Sequence, residues 1–133
     1  MKTIILDACA LIAYMRNESG AEMVRRALAA PKTKVLIHAV NLYEVFYDTY
    51  RQQPGLAHLV PEFAKKAGIQ IFGRIDHRLM EEAAMLKVSF RMSLADSIAL
   101  GLSRKLKAPL LSADRHEFAA VAQAGIAEVK FIR

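Results

Sequence analysis

The sequence predicts an α/β protein in which helices cover both faces of a central, mainly parallel sheet of five strands. Short apolar segments alternate with helical segments along all 133 residues, and this order is typical of parallel sheets because each parallel connection needs a crossover. The composition, 54% hydrophobic and 24% charged, is that of a folded globular protein. The length suits one domain and no linker or repeat divides it, so we expect a single domain over residues 1–133.

The elements of the first half are marked by apolar runs and by the proline and glycine residues between them. "KTIIL" is a short buried strand, and a helix follows it directly. A second helix ends near Pro31, and the long helix after the strand "KVLIH" stops at Pro54-Gly55. Gly68 closes the next helix. In this half we predict strands at 2–6, 34–38 and 69–73, and helices at 8–15, 20–30, 41–53 and 56–67.

The second half opens with two helical segments in succession, "DHRLMEEAAMLKVSF" and "SLADSIALGLSRKLK". The segment "APLLSAD" is then the fourth strand, "RHEFAAVAQA" a helix and "AEVKFI" the last strand. In this half we predict helices at 76–90, 93–107 and 115–124, and strands at 108–114 and 127–132.

The composition also narrows the class of function. Cys9 is the only cysteine, so the chain has no internal disulfide and no zinc site built on thiolates, which favours a cytoplasmic setting. Asp7 interrupts the apolar start of the chain, unlike the apolar core of a signal peptide, and no stretch is long enough to span a membrane. The net charge of +6, from 19 basic and 13 acidic residues, favours a polyanionic partner such as nucleic acid.

Four acidic residues stand at related places in the predicted fold. Asp7 directly follows the first strand, and Asp114 lies at the end of the fourth. Glu44 falls in the first turn of the helix after the second strand, so these three meet at the carboxyl edge of a parallel sheet, where ligand sites collect. Asp96 lies in the first turn of the helix that leads to the fourth strand, and it joins them only if that helix folds back to the same edge.

Helix capping is the competing interpretation of these acids. Ser93 with Asp96, Asn41 with Glu44 and Asp114 with Glu117 all have the spacing of capping boxes or close variants, and Asp7 could cap its own helix. Acids are common in first turns for this reason.

Local charge pairing favours a metal site over capping alone. Most other acids have a basic residue three or four positions away: Glu22, Asp48 and Glu62 do, and Glu81 and Glu82 lie within reach of Arg78. The four acids at the predicted edge have none, although the chain has surplus cations. Crowded carboxylates take up protons unless a cation lies between them. A cluster of oxygen ligands alone suits Mg²⁺ or Mn²⁺.

The segments around the four acids resemble the signature segments of PIN-domain ribonucleases, most closely those of the VapC-type toxins of toxin–antitoxin pairs. These segments are "TIILDACALIAYM" with Asp7, "NLYEVFYD" with Glu44, "SLADSIAL" with Asp96 and "LLSADRHEF" with Asp114. They occur in the order and at the spacing of the family over the whole chain. The resemblance implies a five-stranded parallel PIN fold and a Mg²⁺- or Mn²⁺-dependent endoribonuclease whose four acids bind the metal and carry catalysis.

The resemblance also suggests roles for nearby polar residues. Ser112 stands where the family has threonine or serine, beside the acidic cluster. Asn41 stands where the family has a small polar residue before its glutamate, and there we expect a helix cap. Arg115 and His116 are candidates for contact with RNA phosphates, although a merely solvated pair fits equally well. Further candidates for an electrostatic path for RNA are Arg16, Arg25, Arg26, Lys32, Lys34 and Arg91.

The long helix at 41–53 predicts a protein partner. One apolar stripe includes Leu42 and Val45, and a second is formed by Tyr43, Tyr47 and Tyr50. A helix that is apolar on two faces is either covered on both sides by its own domain or contacts another chain. PIN toxins are commonly dimers that bind an antitoxin, so the resemblance implies a homodimer and a cognate antitoxin.

Three other functions share some of these features. A receiver-type signalling domain also has parallel strands and an acidic Mg²⁺ pocket, but it needs two adjacent acids after the first strand and a lysine after the last. Here Asp7 stands alone and Lys130 lies within the last strand. A haloacid-dehalogenase-like phosphatase needs Asp-x-Asp, whereas this chain has Asp7-Ala8-Cys9. The third alternative is a PIN-like binding module without catalysis.

Overall fold

The computed structural model describes all residues from 1 to 133 and contains one sheet of five strands, all parallel. The α/β prediction is confirmed, and the sheet is wholly rather than mainly parallel. The strands lie in the order β3-β2-β1-β4-β5. They are β1 (Lys2–Leu6), β2 (Thr33–His38), β3 (Ile69–Phe72), β4 (Leu110–Ser112) and β5 (Val129–Phe131).

Seven α-helices connect the strands, and a 3₁₀ helix at Pro54–Leu59 follows the third of them. The α-helices are α1 (Ala8–Met15), α2 (Ala21–Ala29), α3 (Ala39–Gln52), α4 (Val60–Lys66), α5 (His77–Ser89), α6 (Leu94–Leu106) and α7 (Arg115–Gln123).

Successive residues of the strands point to opposite faces and so divide the apolar side chains between two cores. In β1, Ile4 and Leu6 pack with α1 to α4, whereas Ile5 packs against α5, α6 and α7. Strand β2 alternates in the same way, with Val35 in the first core and Leu36 in the second. Helices therefore cover both faces, as the alternation of elements predicted.

Several predicted boundaries are wrong, and each has a local cause. Helix α3 begins at Ala39, two residues early, because the His38 imidazole caps it by accepting the Val40 amide at 3.0 Å. The predicted helix 56–67 is a 3₁₀ helix followed by α4, which has Pro61 in its first turn. The last two strands are only three residues long each, because the residues on either side of them in the predicted 108–114 and 127–132 are irregular.

The strand order creates a crevice between two central strands. From β1 the chain proceeds through β2 to β3 on one side, and then returns to place β4 on the other side of β1. In open parallel sheets, ligands bind at the carboxyl ends of the strands where the order reverses in this way. Asp7 follows β1 and Asp114 lies two residues beyond β4, so both stand at this switch point.

Helix α6, which carries Asp96, packs closely on α5 through Gly101. A Cβ atom added at Gly101 would lie 3.0 Å from the backbone nitrogen of Ala83, so a larger residue would push the helices apart. This contact fixes the position of α6 and thus of its first turn. No helix in the structure is both long and apolar enough to cross a membrane.

Candidate metal centre

Asp7 lies at the centre of the switch point and is only 2% exposed. Its Oδ1 accepts the Ala10 amide at 2.8 Å and caps α1, as the capping interpretation expected. Burial raises the pKa of Asp7 from 3.8 to about 7, against the opposing effects of the nearby Ser112 hydroxyl and the Ala10 amide. The charges of Asp96 and Glu44 raise it further, because both carboxylates lie close by.

Asp96 does join the other acids, which the sequence left open. Ser93 caps α6 by accepting the Asp96 amide at 3.0 Å, so the backbone of Asp96 is held in the first turn. Burial raises the pKa of the Asp96 carboxyl to about 6, and the charges of Glu44, Glu117 and Asp114 contribute to the rise. Helix α6 therefore begins at the same edge of the sheet as α1 and α3.

Glu44 and Asn41 differ from their expected places because α3 starts early. Glu44 lies in the second turn of α3, not the first, and burial raises the pKa of its carboxyl. The prediction that Asn41 caps the helix is wrong, since His38 does so. Asn41 is fully buried and its Nδ2 donates to Glu44 Oε1 at 3.2 Å and to the Ala95 carbonyl at 3.0 Å. It therefore links the two helices that carry Glu44 and Asp96.

A fifth acid, Glu117, completes the cluster. Asp114 Oδ1 accepts the Glu117 amide at 3.0 Å and caps α7, and the Asp114 amide donates to Ser112 Oγ at 2.9 Å. One carboxylate oxygen from each of Asp96, Asp114 and Glu117 lies within 4.8 Å of the other two. Glu117 Oε2 is buried and has no hydrogen-bond partner.

Sequence reasoning assigned Glu117 only to capping, although a signal for more was present. No basic residue lies three or four positions from Glu117 on either side, which is the same criterion that selected the other four acids. The criterion also selects acids outside the site. Glu18 and Asp76 lack such a neighbour in the sequence, but they pair with the distant Arg133 and Lys105 at 3.4 and 2.5 Å.

None of the five clustered acids forms an ion pair, whereas most acids elsewhere do. The expected pairs of Glu22, Asp48 and Glu62 are confirmed. The expected pairing with Arg78 is wrong: Glu81 contacts His77, and Glu82 contacts Arg104 at 2.5 Å.

The donor set fits a hard divalent cation. All its ligand atoms are carboxylate oxygens, and the unpartnered Glu117 Oε2 is a buried acceptor that no protein donor reaches. Capping uses one oxygen of Asp7 and one of Asp114, so the second oxygen of each carboxylate is available as a ligand. Capping and metal binding are thus compatible at the same residues. Burial and the neighbouring carboxylates raise the pKa of the Cys9 thiol to about 12.

The candidate RNA-binding residues have varied surroundings. Arg16 pairs with Asp48 at 2.8 Å, and Arg115 donates from Nε to the Arg133 carbonyl at 2.8 Å while lying over the Phe131 ring. His116 is exposed beside the acidic cluster. Of the remaining candidates, Arg25 and Arg26 pair with Glu22, Arg91 is exposed, and Lys32 and Lys34 lie at the opposite edge of the sheet.

Comparison with known proteins agrees with this geometry. The PIN domain model matches residues 4–124, and the chain belongs to the PIN domain family. No curated protein sequence matches the chain. The strand order also shows that the receiver-type alternative is wrong, because receiver domains have the order 2-1-3-4-5.

Similar solved structures come from toxin–antitoxin complexes. A toxin–antitoxin complex from Klebsiella pneumoniae is 18% identical with a TM-score of 0.72, and the alignment covers 98% of each chain. DNA-bound VapBC from Salmonella typhimurium is 12% identical over 100% of both chains, with a TM-score of 0.76. VapC20 of Mycobacterium tuberculosis, a toxin that cleaves the sarcin-ricin loop, is 16% identical over 88% of this chain and 94% of its own, with a TM-score of 0.68. At these identities the likeness is one of fold.

Proposed function

We propose that the protein is a Mg²⁺- or Mn²⁺-dependent endoribonuclease and the toxin of a type II toxin–antitoxin pair. The observation that carries the proposal is the convergence of carboxylate oxygens of Asp96, Asp114 and Glu117 at the switch point of a PIN fold, with Asp7 and Glu44 electrostatically coupled to this group. Buried like charges of this density need a cation to be stable at neutral pH. The proposed ligands and catalytic residues are Asp7, Glu44, Asp96 and Asp114, with Glu117 as an additional ligand.

When bound, a divalent cation at this site lowers the pKa of water and offsets charge on a phosphodiester. The contribution of the chain itself is to fix the ligands. The helix caps hold Asp7 and Asp114, and Asn41 holds Glu44 against α6. Ser112 supports both capped acids, because its hydroxyl accepts the Asp114 amide and lowers the pKa of Asp7. No histidine belongs to the cluster: His38 caps α3 and bonds the Arg74 carbonyl.

The proposal that RNA is the substrate rests on the family of the chain and on its net charge. The net charge of +6 favours a polyanion, and a structural neighbour of this chain is described as cleaving the sarcin-ricin loop. Hydrolysis of a phosphodiester by metal-assisted chemistry suits DNA as well, so the test needs both. The proposed activity would act on RNA in the cytoplasm.

The test is cleavage of structured RNAs and of single-stranded DNA by the purified protein, with Mg²⁺, with Mn²⁺ or with EDTA. We expect RNA to be cut only with the metal, and cutting to be lost in Asp96→Asn. Glu62→Gln is the matched control, because this acid pairs with Lys66 on α4 and should not affect cleavage. RNA cleavage by folded Asp96→Asn at the wild-type rate would refute the mechanism. A folded wild type that binds Mn²⁺ yet cuts no RNA would favour the non-catalytic binding module.

An antitoxin and a second protomer are the proposed protein partners. Tyr43, Tyr47 and Tyr50 are 64%, 43% and 59% exposed, so the second apolar face of α3 is not covered by the chain itself. Beside it, a groove of about 400 Å³ is lined by Met15, Arg16 and Thr49 and by apolar side chains of the 3₁₀ helix and α4. Exposed apolar surface of this extent indicates a protein interface. Light scattering should show a dimer, and a co-expressed neighbouring gene product should co-purify; a monomer under both conditions would refute this part.

A further inference from the structure

Four lysines lie at the amino edge of the sheet, opposite the acidic centre, and a fifth in the edge strand β5 lines the same depression as two of them. Lys2 begins β1, Lys34 lies in β2 and Lys130 lies in β5. Lys32 precedes β2 and its carbonyl accepts the Lys2 amide at 2.9 Å, while Lys107 follows α6 on the way to β4. We name this group the lysine edge: Lys2, Lys32, Lys34, Lys107 and Lys130.

Four of the five lysines line depressions in the surface. Lys2, Lys107 and Lys130 line one depression of about 420 Å³. A second depression of about 240 Å³ contains Lys34 and shares Thr3 and Leu106 with the first, so the two are continuous. Glu128 is the only acid lining either of them, and it forms no ion pair.

The lysines of this edge have no acidic partner, unlike many other cations of the protein. No carboxylate lies within ion-pair distance of any of the five lysines. Eight other cations do have an acidic partner: Arg16, Arg25, Arg26, Arg51, Lys66, Arg104, Lys105 and Arg133. Two members also occupy an unfavourable backbone conformation: Lys32 and Lys107 have φ of 51° and 52°, a region that glycine adopts without strain. At these two positions lysine provides charge where the backbone favours glycine.

We infer that the lysine edge binds phosphates of the RNA substrate at a distance from the scissile bond. This inference rests on the proposed ribonuclease function and extends it to the class of substrate. Strand β1 separates Lys2 from Asp7 by five residues, or about 17 Å at the usual rise of a strand. An RNA must therefore be folded or long enough to reach around the domain in order to contact both edges. The substrate class is a structured RNA, and a short oligonucleotide would lie only at the acidic centre.

Lysine suits this role because its ammonium group binds phosphate as a point charge and does not read bases. Contacts of this kind add affinity through counterion release and leave sequence preference to the active-site edge. An anionic membrane is the main rival ligand. It is less suited to a concave surface, because interfacial binding also needs an apolar helix face that enters the lipid.

The test compares two triple variants that lose the same charge. The first, Lys2→Gln with Lys107→Gly and Lys130→Gln, removes the lysines of the larger depression, and glycine suits the backbone at position 107. The control, Arg51→Gln with Lys66→Gln and Arg133→Gln, removes three exposed cations that already pair with acids. A second edge variant, Lys32→Gly with Lys34→Gln, tests the adjoining depression independently. Unfolding temperatures verify that all variants fold.

Binding of labelled unfractionated transfer RNA is measured in EDTA over a range of salt, and cleavage is measured with Mn²⁺. For the first variant we expect weaker binding and a salt dependence whose slope falls by about 2–3, as the loss of three phosphate contacts predicts. KM for the folded RNA should rise while kcat is unchanged, and cleavage of a short single-stranded oligoribonucleotide should be unaffected. The control should resemble the wild type in every assay.

Equal RNA binding by the edge variant and the control would overturn the inference. So would a loss of binding to anionic phospholipid vesicles with no loss of RNA binding, which would assign the edge to a membrane. Failure of the proposed function has a different signature. In that case the wild type cuts neither the folded RNA nor the oligonucleotide, and the binding measurements in EDTA still decide the role of the lysines.

Discussion

The two edges of the sheet carry charges of opposite sign, and these charges differ in how far they are buried. At the carboxyl edge, acids crowd together in partly or fully buried positions, and the pKa values of Asp7 and Asp96 rise to about 7 and about 6. Of the five lysines at and near the amino edge, four are exposed and Lys34 is half-buried. Water and salt screen exposed like charges, but buried ones interact through a medium of low dielectric constant. Only the acidic edge therefore depends on a counterion for its stability.

This difference follows from topology. In a parallel sheet all strands end at one edge, and the helices that follow them begin there. Asp7, Ser93 and Asp114 cap helices at this edge, so the caps bring acids together as a consequence of the fold. The amino edge receives helix ends and turns, where lysine is compatible with the helix dipole.

Replacement of Asp7 should have the largest effect and should alter stability and activity in opposite directions. Asparagine caps helices as well as aspartate does, so α1 should be retained in Asp7→Asn. Without metal at pH 8, the variant should be more stable by up to about 4 kcal/mol, which corresponds to the rise of the pKa from 3.8 to about 7. Because one metal ligand is lost, RNA cleavage should fall at least about hundredfold.

Chemical denaturation in EDTA and cleavage assays with Mn²⁺ check this prediction. Lys130→Gln is the comparison from the group of lysines, and because this side chain is exposed the stability of the variant should differ from the wild type by less than about 0.5 kcal/mol. If Asp7→Asn is less stable than the wild type at pH 8, the ionised Asp7 carboxylate does not destabilise the metal-free fold and the prediction is wrong.

The acidic edge should make the stability of the metal-free protein fall as the pH rises above about 5. The folded protein binds protons at Asp7 and Asp96 that the unfolded chain has released, since both pKa values are raised from 3.8. The contribution of these acids to the free energy of unfolding is therefore greatest below pH 4 and is lost as the pH rises through about 6 and about 7. Saturating Mg²⁺ should abolish the decline.

Comparison with a variant that lacks both acids separates their effect on stability from that of other titrating groups. His38, whose pKa is lowered from 6.5 by burial, acts in the opposite direction over part of the range. Asp48 and Asp76 have lowered pKa values and act only at more acidic pH. The difference in free energy of unfolding between the wild type and a variant with Asp7→Asn and Asp96→Asn cancels the contributions of His38, Asp48 and Asp76, because both proteins share them. A difference that stays constant from pH 5 to pH 8 would contradict the prediction.

Replacement of Asn41 should have a smaller effect, and it tests whether this residue positions the metal ligands or only stabilises the fold. Asn41→Ala removes both donations and deprives the Glu44 carboxylate of its side-chain donor, so we expect a destabilisation of about 1–3 kcal/mol. Mn²⁺ affinity should fall about 10–100-fold, since groups that orient metal ligands typically have effects of this size. Titration with Mn²⁺, monitored by electron paramagnetic resonance, measures it.

Ser103→Ala is the matched control at the amino edge, where this buried hydroxyl donates to the Ala108 carbonyl. It should be destabilised by a similar amount with no change in Mn²⁺ affinity. Equal Mn²⁺ affinities in the two variants would mean that Asn41 has only a structural role.

Local sequence patterns were reliable where a pattern and its physical cause lie within a few residues. The caps at Asp7, Ser93 and Asp114 are confirmed, as are the ion pairs of Glu22 within α2. The same reasoning failed where the cause lies elsewhere in the fold. Asn41 was assigned to capping because the sequence does not reveal that His38 caps the helix instead. The His38 ring is held in place by a hydrogen bond with the Arg74 carbonyl. Glu117 was assigned only to capping, although it meets the same sequence criterion as the four predicted acids.

The amino-acid sequence by itself determined the alternation of strands and helices, the five-stranded α/β architecture and the segments that carry the acids. It could do so because hydrophobic periodicity, helix caps and turn residues act over a few positions. Only the tertiary structure decided which acids remain without a cation. Glu18 and Asp76 found partners 115 and 29 residues away, whereas Asp96 and Glu117 joined Asp114 instead. Electrostatic pairing depends on distance in space, and the fold alone sets that distance.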